Sequence, residues 1–389
     1  MCIDPVVIVS AKRTPIGKLM GCLSYVSAPY LGAAAISGAI NQAAIEKVEI
    51  DEVLMGCVLS AGLGQAPARQ ASRLAGLPDQ VGCTTVNKMC GSGMKALMLA
   101  HDQLMAGSAN IMVAGGMESM SQAPHLLAKA RKGLRLGHAE MLDHMFVDGL
   151  EDAYDGRLMG ELAQECADKH QIGRVEMDDF AIASLSRAIT ASQSGAFDAE
   201  ISSLKVGEIV VDRDELPPKA DVEMIRHLKA VFKESGTLTA ANSSSISDGA
   251  AALILMRESE AKRRGLDPLV RIVAHATHAQ LPAEFPEAVV AAIEKVLMAS
   301  AWTLDDVDLY EINEAFAATV LLVINTLGLD RKRVNVHGGA CALGHPIGAS
   351  GARIIVTLLH ALEEKGLQKG LAAVCIGGGE ATALTVERV

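Results

Sequence analysis

An α/β fold of two related halves, interrupted by an inserted segment, is what the chain predicts, and three observations carry that expectation. Short apolar runs of strand length alternate with helical runs built from small residues, the pattern of strands covered by crossover helices. The alternation breaks off near residue 121, where charges become frequent, and resumes near residue 234. The strand–elbow–helix order of the opening residues then returns from about residue 269. These breaks divide the chain into a first half (residues 1–120), an inserted loop or cap domain (121–233), the end of the first half (234–268) and a second half (269–389).

In the first half, residues 6–10 read as a buried strand, 28–42 as a helix of small residues, 53–59 as a second strand and 68–75 as a short helix. Residues 81–87 form a strand that delivers Cys90. From Met94 to Met105 no Pro or Gly interrupts a helical run, and Gly107 supplies its stop. Residues 110–115 are a strand ending in Gly115-Gly116-Met117-Glu118-Ser119. A largely parallel sheet is expected, with ligands beyond the strands' C-terminal ends.

The inserted stretch reads as mainly helical, at 160–170 and 177–194. Its basic run Lys129, Arg131, Lys132 and Arg135 is a solvated face or a contact for a phosphate or a neighbouring subunit. The hydroxyl-rich run at 237–249 is a loop leading into a strand at 250–256. The second half then offers a strand at 270–276, a helix at 287–299 and a strand at 309–312. Asn313 follows as the N-cap of an apolar helix. A Gly-rich elbow around His345, a helix at 352–365 and a strand at 372–376 ending in Gly377-Gly378-Gly379 complete the order.

With 389 residues the chain exceeds one ordinary core, and with only 3% aromatics that core must be Ala, Val, Leu, Ile and Met. A net charge of −11 argues against a nucleic-acid partner. No apolar run approaches the roughly 20 residues of a membrane span, and no signal peptide is read at the start. None of the eight cysteines stands in a C-x-x-C pair. Neither a metal nor a disulfide framework is therefore expected, and a reducing, cytoplasmic compartment is.

Three side chains stand out chemically. Cys90 sits at or just before a helix N-terminus, where the macrodipole and free N–H groups favour a thiolate; the alternative is a buried structural cysteine. Duplicated halves would set His345 opposite Cys90, and an imidazole beside a thiol makes an activated nucleophile. A turn histidine is the competing reading. Cys375 is by default a core cysteine, although the bare N–H groups of Gly377–Gly379 could hold an anion.

Five ordered motifs carry a further resemblance. They are Val86-Asn87-x-x-Cys90-x-Ser92-Gly93, Gly115-Gly116-Met117-Glu118-Ser119-Met120-Ser121, Asn313-Glu314-Ala315-Phe316, Gly338-Gly339-Ala340-x-x-Leu343-Gly344-His345-Pro346-x-Gly348 and Cys375-x-Gly377-Gly378-Gly379. From end to end the chain resembles the thiolase family. The resemblance implies duplicated βαβαβαββ halves in an αβαβα layering, with an inserted loop domain. It implies reversible condensation of two acetyl-CoA to acetoacetyl-CoA and CoA by a ping-pong route through S-acetyl-Cys90. His345 then activates Cys90 and, with a water on Asn313, stabilises one oxyanion; Cys375 is the acid/base, and the N–H groups of Cys90 and Gly377 form the other oxyanion hole. Ser244, Ala240, Met159 and Phe316 are the implied CoA contacts, with Lys219 a candidate for the adenine end.

No resident cofactor is implied. A potassium site is left open without a residue that speaks for it, and a homodimer or homotetramer is expected, with residues 129–135 where members place a tetramer loop. Three departures from the family pattern stand out: Leu158 and the stretch Pro282–Glu287 with Phe285, both near the acyl pocket, and Ala381 after the triple glycine. They keep open a degradative 3-ketoacyl-CoA thiolase of broader chain length. The reading from another class is an inactive CoA-binding scaffold.

Overall fold

A computed structural model describes residues 4–389, so Cys2 lies outside the described residues. The strands, in chain order, are β1 (Val6–Arg13), β2 (Gly17–Lys18), β3 (Glu52–Gly56), β4 (Gly82–Val86), β5 (Ile111–Ser119), β6 (His125–Leu127), β7 (Met141–Asp143), β8 (Leu204–Val206), β9 (Ile209–Val211), β10 (Ser247–Arg257), β11 (Val270–Ala279), β12 (Leu309–Ile312), β13 (Lys369–Ile376) and β14 (Glu380–Arg388). The helices are α1 (Ala28–Ala43), α2 (Pro67–Leu74), α3 (Ser92–Ala106), α4 (Met159–Lys169), α5 (Arg174–Ser194), α6 (Glu258–Arg264), α7 (Ala288–Ser300), α8 (Ala317–Leu327), α9 (Ala340–Leu343) and α10 (Ile347–Lys365).

The duplication is explicit in the sheet. The first half runs β1-β10-β5-β3-β4 and the second β11-β14-β13-β12, the same relative order. The place that would match β4 is taken by Val334, which bridges in parallel to Tyr310 of β12. The halves meet through β1 and β11, which share only Val7↔Arg271 and Ile8↔Val270.

Alternation along each strand builds the layers. Val7 and Val9 face an outer core with α1 and α2, whereas Val6 and Ile8 face a central core containing α3 and α10. In the second half Leu371 and Ala373 turn to an outer core with α7 and α8, whereas Ala372 and Val374 turn to the same central core. The result is an αβαβα stack. The two central helices touch backbone to backbone: a Cβ on Gly93 would lie 2.8 Å from Ala352 N, and one on Gly351 2.6 Å from Met94 N.

Several expectations are corrected. The sheet is mixed, parallel only at β3–β4, β3–β5 and β12–β13. The last strand of each half, β10 or β14, inserts antiparallel between its neighbours; β14 must do so because only a glycine turn separates it from β13. Strand β5 does not end at its glycines but runs on to Ser119. Helix α10 starts five residues earlier than expected, at Ile347. The inserted segment holds two small hairpins, β6–β7 and β8–β9, besides its helices. Lys129, Arg131, Lys132 and Arg135 are exposed on the loop joining β6 and β7.

Candidate active site

The first elbow is a tight turn between β4 and α3. Met89 adopts a left-handed backbone, φ 45°. The Ser92 hydroxyl accepts from Lys88 N at 2.8 Å and donates to Met89 O at 2.6 Å, pinning the turn. Gly91 precedes the helix, and any Cβ there would come 2.4 Å from Ile376 Cδ1. The elbow is thus pressed against the end of β13. The backbone N–H groups of Gly377 and of Cys90 itself are near enough to the Cys90 sulfur to favour its thiolate.

Those two donors lower the thiol's pKa, but burial outweighs them. The Cys90 thiol is pushed up to about 11, with the Glu118 carboxylate adding to the rise. The expectation of a thiolate poised by the helix N-terminus is therefore corrected. Desolvation of the sulfur works against the thiolate and is the largest cause of the rise.

The second elbow presents His345 ahead of α10. Its backbone N donates to Ser245 O at 3.0 Å. Ser350 Oγ lies 2.5 Å from Nδ1 and 3.0 Å from Pro346 O. With the single hydroxyl proton on Pro346 O, Nδ1–H donates to Ser350 and the lone pair sits on Nε2. That Nε2 is buried and has no protein partner. Burial first, and the Arg353 charge second, bring His345 down to about 3. The imidazole is neutral and able to accept a proton.

Asn313 follows β12, its N–H donating to Ala373 O at 2.9 Å. It is not an N-cap, because α8 begins only at Ala317 with Phe316 as the cap. The intervening residues are held by the hydroxyl-rich strap: Ser243 bridges Phe316, and Ser244 N donates to Ala315 O at 2.9 Å. Asn313 Nδ2 stands 3.5 Å from His345 Nδ1, and its Oδ1 is buried without a partner. Cys375 is fully buried near the end of β13, opposite Ala381 of β14. Its thiol is raised by burial and, further, by the nearness of Cys90.

An apolar cavity of about 270 Å³ opens onto His345. Met159, Phe316 and Ser244 line it together with Leu158 and Phe232. Met120, Leu150, Ile246 and Ile347 also line it, and these belong to the cluster against which Cys90 packs. The structure thus brings Ser244, Met159 and Phe316 to His345, and Met159 reaches Gly377, where a Cβ would lie 3.3 Å from Met159 Sδ. Ala240 lines a neighbouring cavity of about 240 Å³ that shares Ser245. Lys219 lines neither; it is exposed and ion-paired with Glu215 at 2.9 Å.

Two carboxylates the sequence reading left without roles hold the elbows in place. Glu118 is fully buried and accepts from Val58 N, Leu59 N and Gly348 N at 2.9–3.1 Å. It ties the loop after β3 to the first turn of α10, and burial raises it to about 7. Glu314 accepts from Ser184 Oγ (2.7 Å), Asn335 Nδ2 (2.9 Å) and Cys341 N (3.1 Å), fastening the inserted domain to the second half. An acidic residue inside an otherwise apolar strand was the available signal for Glu118.

The departures from the family pattern also find their places. Leu158 lines the cavity, Ala381 stands across from Cys375, and Phe285 is buried behind Phe316, ring centroids 6.4 Å apart.

Comparison with known proteins agrees with this geometry. Residues 6–259 match the thiolase N-terminal domain and residues 266–388 the thiolase C-terminal domain. An acetyl-CoA acetyltransferase of Cupriavidus necator is 47% identical over 98% of this chain and 99% of its own. The mitochondrial acetyl-CoA acetyltransferase of Mus musculus is also 47% identical, over 100% of this chain and 92% of its own. The crystal structure of the Bacillus anthracis acetyl-CoA acetyltransferase superposes with a TM-score of 0.97 at 40% identity, over 100% of this chain and 99% of that one. Two domain matches that together span nearly every residue, on a duplicated fold whose elbows carry Cys90 and His345, place the chain in the thiolase family.

Proposed function

We propose that the chain is an acetyl-CoA C-acetyltransferase that reversibly condenses two acetyl-CoA into acetoacetyl-CoA and CoA. The observation that carries the mechanism is the packing of the Cys90 elbow against the end of β13, which sets the backbone N–H groups of Cys90 and Gly377 near the sulfur. Donors so placed also meet the oxygen of an acyl group carried on that sulfur.

In the first step His345 Nε2 takes the Cys90 proton as the sulfur attacks the thioester carbonyl. The tetrahedral oxyanion sits on the two N–H groups. It collapses with loss of CoA, which leaves with the proton, and Cys90 is acetylated. In the second step the Cys375 thiol passes its proton to His345 Nε2 and, as the thiolate, removes an α-proton from a new acetyl-CoA. Its thioester oxygen is stabilised by a water that gives one proton to Asn313 Oδ1 and the other to that oxygen. Nε2–H, carrying the proton taken from Cys375, adds a second donor. The carbanion attacks acetyl-Cys90, and the Cys90 thiolate leaves and takes the proton held on His345, while Cys375 keeps the α-proton and is a thiol again.

CoA enters as a substrate, and no resident cofactor takes part in these steps. The CoA arm runs along the cavity formed by Ser244, Met159 and Phe316. We read Ala240 and Lys219 as contacts farther out, on the side of the neighbouring cavity. A potassium requirement is checked by comparing rates in potassium and sodium salts.

A homodimer or homotetramer is supported by the free edge of β4 and by Leu134 and Leu136, which are 52% and 100% exposed on the β6–β7 loop. Sedimentation of the purified chain decides between monomer, dimer and tetramer. The seven described cysteines are all free, which suits a reducing, cytoplasmic setting.

CoA-dependent cleavage of acetoacetyl-CoA beside 3-ketooctanoyl-CoA tests the assignment. Strong preference for acetoacetyl-CoA is expected. Equal or better cleavage of the longer substrate moves the chain to the degradative class, a reading that the apolar Leu158 wall of the cavity favours. Cleavage of neither leaves a silent scaffold.

A further inference from the structure

Away from the elbows, three polar side chains converge at the seam between the halves. His101 Nδ1 and Asp102 Oδ1, neighbours on α3, stand 3.1 Å apart. His275 Nε2, from β11, lies 3.2 Å from the first and 3.0 Å from the second. The two rings meet edge to face with centroids 4.9 Å apart.

The three atoms form a nearly equilateral triangle. Hydrogen bonds from both rings to Asp102 account for two sides, and the third, between the two ring nitrogens, then has no proton to bridge it. Each ring nitrogen carries at most one proton, and a single N–H cannot point along two sides of a triangle at once. A cation above the triangle resolves this, because each atom then presents a lone pair to one point. Tetrahedral zinc with N and O ligands at 2.0–2.2 Å sets those ligands about 3.3 Å apart, and the observed sides are 3.0–3.2 Å.

The surroundings also suit a metal. The imidazoles are mostly shielded, at 18% and 17% side-chain exposure, whereas Asp102 is 56% exposed. Solvent therefore reaches one side, giving an entry path and a position for a fourth ligand. Lys95, one and a half turns back along α3, is the positive group that faces His275. The other such cluster among the described residues is Cys166, His170 and Glu287. It is a weaker case, because Lys169 Nζ already neutralises Glu287 at 2.9 Å.

We propose that His101, Asp102 and His275 bind a first-row divalent cation, zinc being the expected occupant, which clamps α3 of the first half to β11 of the second. Two imidazoles and one carboxylate suit zinc, copper or nickel and not calcium or magnesium. The clamp is structural: it adds no group to the cavity at His345.

The test uses the full-length protein stripped with a chelator and dialysed against zinc at micromolar free concentration. Wild type should retain one equivalent that His275→Ala and Asp102→Asn both lose. His170→Ala, in the second cluster, should retain it. Zinc should raise the melting temperature of the wild type and leave that of His275→Ala unmoved. Cobalt loaded in its place should give the intense visible absorption of a four-coordinate site. Should His275→Ala fail to fold, Asp102→Asn changes an exposed carboxylate with almost no change in volume and carries the test alone. Zinc retained equally by wild type and Asp102→Asn would place the metal elsewhere and overturn the proposal. So would a wild type that retains none.

Discussion

Cys90 and His345 occupy the same place in two copies of one fold, the turn before a central helix, yet the two elbows are built for opposite tasks. The first leaves its side chain half-buried and surrounds the sulfur with backbone N–H groups. The second buries its imidazole, backs it with Ser350 and leaves one ring nitrogen unpartnered. Duplication supplied two helix N-termini packed through Gly93 and Gly351. Divergence then placed a cysteine at one and a histidine at the other, which we read as nucleophile and proton acceptor. The resting pair is uncharged, because burial holds the thiol protonated and the imidazole neutral.

The comparison breaks most visibly at the nucleophile. Cys90→Ser is expected to abolish condensation and cleavage alike, by about 10⁴-fold or more, as for other nucleophile knock-outs. Residual turnover near wild type, by coupled assay, would mean that the first elbow is not the acceptor. Asn313→Ala should slow condensation by about 10²-fold, the usual loss for one oxyanion contact, with little change in acetylation of Cys90. A matching loss in both half-reactions would dissolve the distinction between the two oxyanion sites.

The charge state can be sharpened next. Below its pKa a thiol gains thiolate about tenfold per pH unit. Alkylation of resting Cys90 by iodoacetamide should therefore climb steadily from neutral pH toward about 11. A rate that levels off near pH 7 would restore the thiolate reading.

Glu118 gives a smaller, thermodynamic effect. The native state keeps its proton up to about pH 7, whereas the unfolded chain releases it near 4.5. The native state thus binds more protons in that window, and stability falls as pH rises through it, by at most about 1.4 kcal/mol per unit. Urea midpoints of Glu118→Gln should lose that part of the slope, while the part from Glu311, raised to about 8, persists. Smallest of all, Ala381→Gly opens space beside Cys375 and should shift the ratio of acetoacetyl-CoA to longer-chain cleavage by a few-fold, about 1 kcal/mol or less.

Much of this was legible before any coordinates. The long elements carry strong periodicity, so α1, α3 and the core of β10 fall close to their expected places. Cys90, His345 and Cys375 announce themselves by the glycines around them. Sheet direction was not legible, because β14 has the same composition whether it pairs parallel or antiparallel. The hairpins of the inserted domain were missed because three-residue strands show no period. Asn313 looked like an N-cap because a strand end followed by an apolar run is how caps usually read; the strap at Ser243–Ser244 delays the helix to Ala317. The protonation of Cys90 follows from burial and from Glu118, which only the folded chain brings near. Likewise His101 and His275 are far apart in the chain and share no spacing motif.

The division of labour between the elbows and Cys375 is tested most directly by mixing Cys375→Ser with acetyl-CoA alone and following CoA release, with mass analysis of the peptide containing Cys90. The account predicts rapid release of one equivalent of CoA, an acetyl group on Cys90 and no acetoacetyl-CoA. Absence of the acetyl group from Cys90 in a folded protein, or its appearance on another residue, would contradict it.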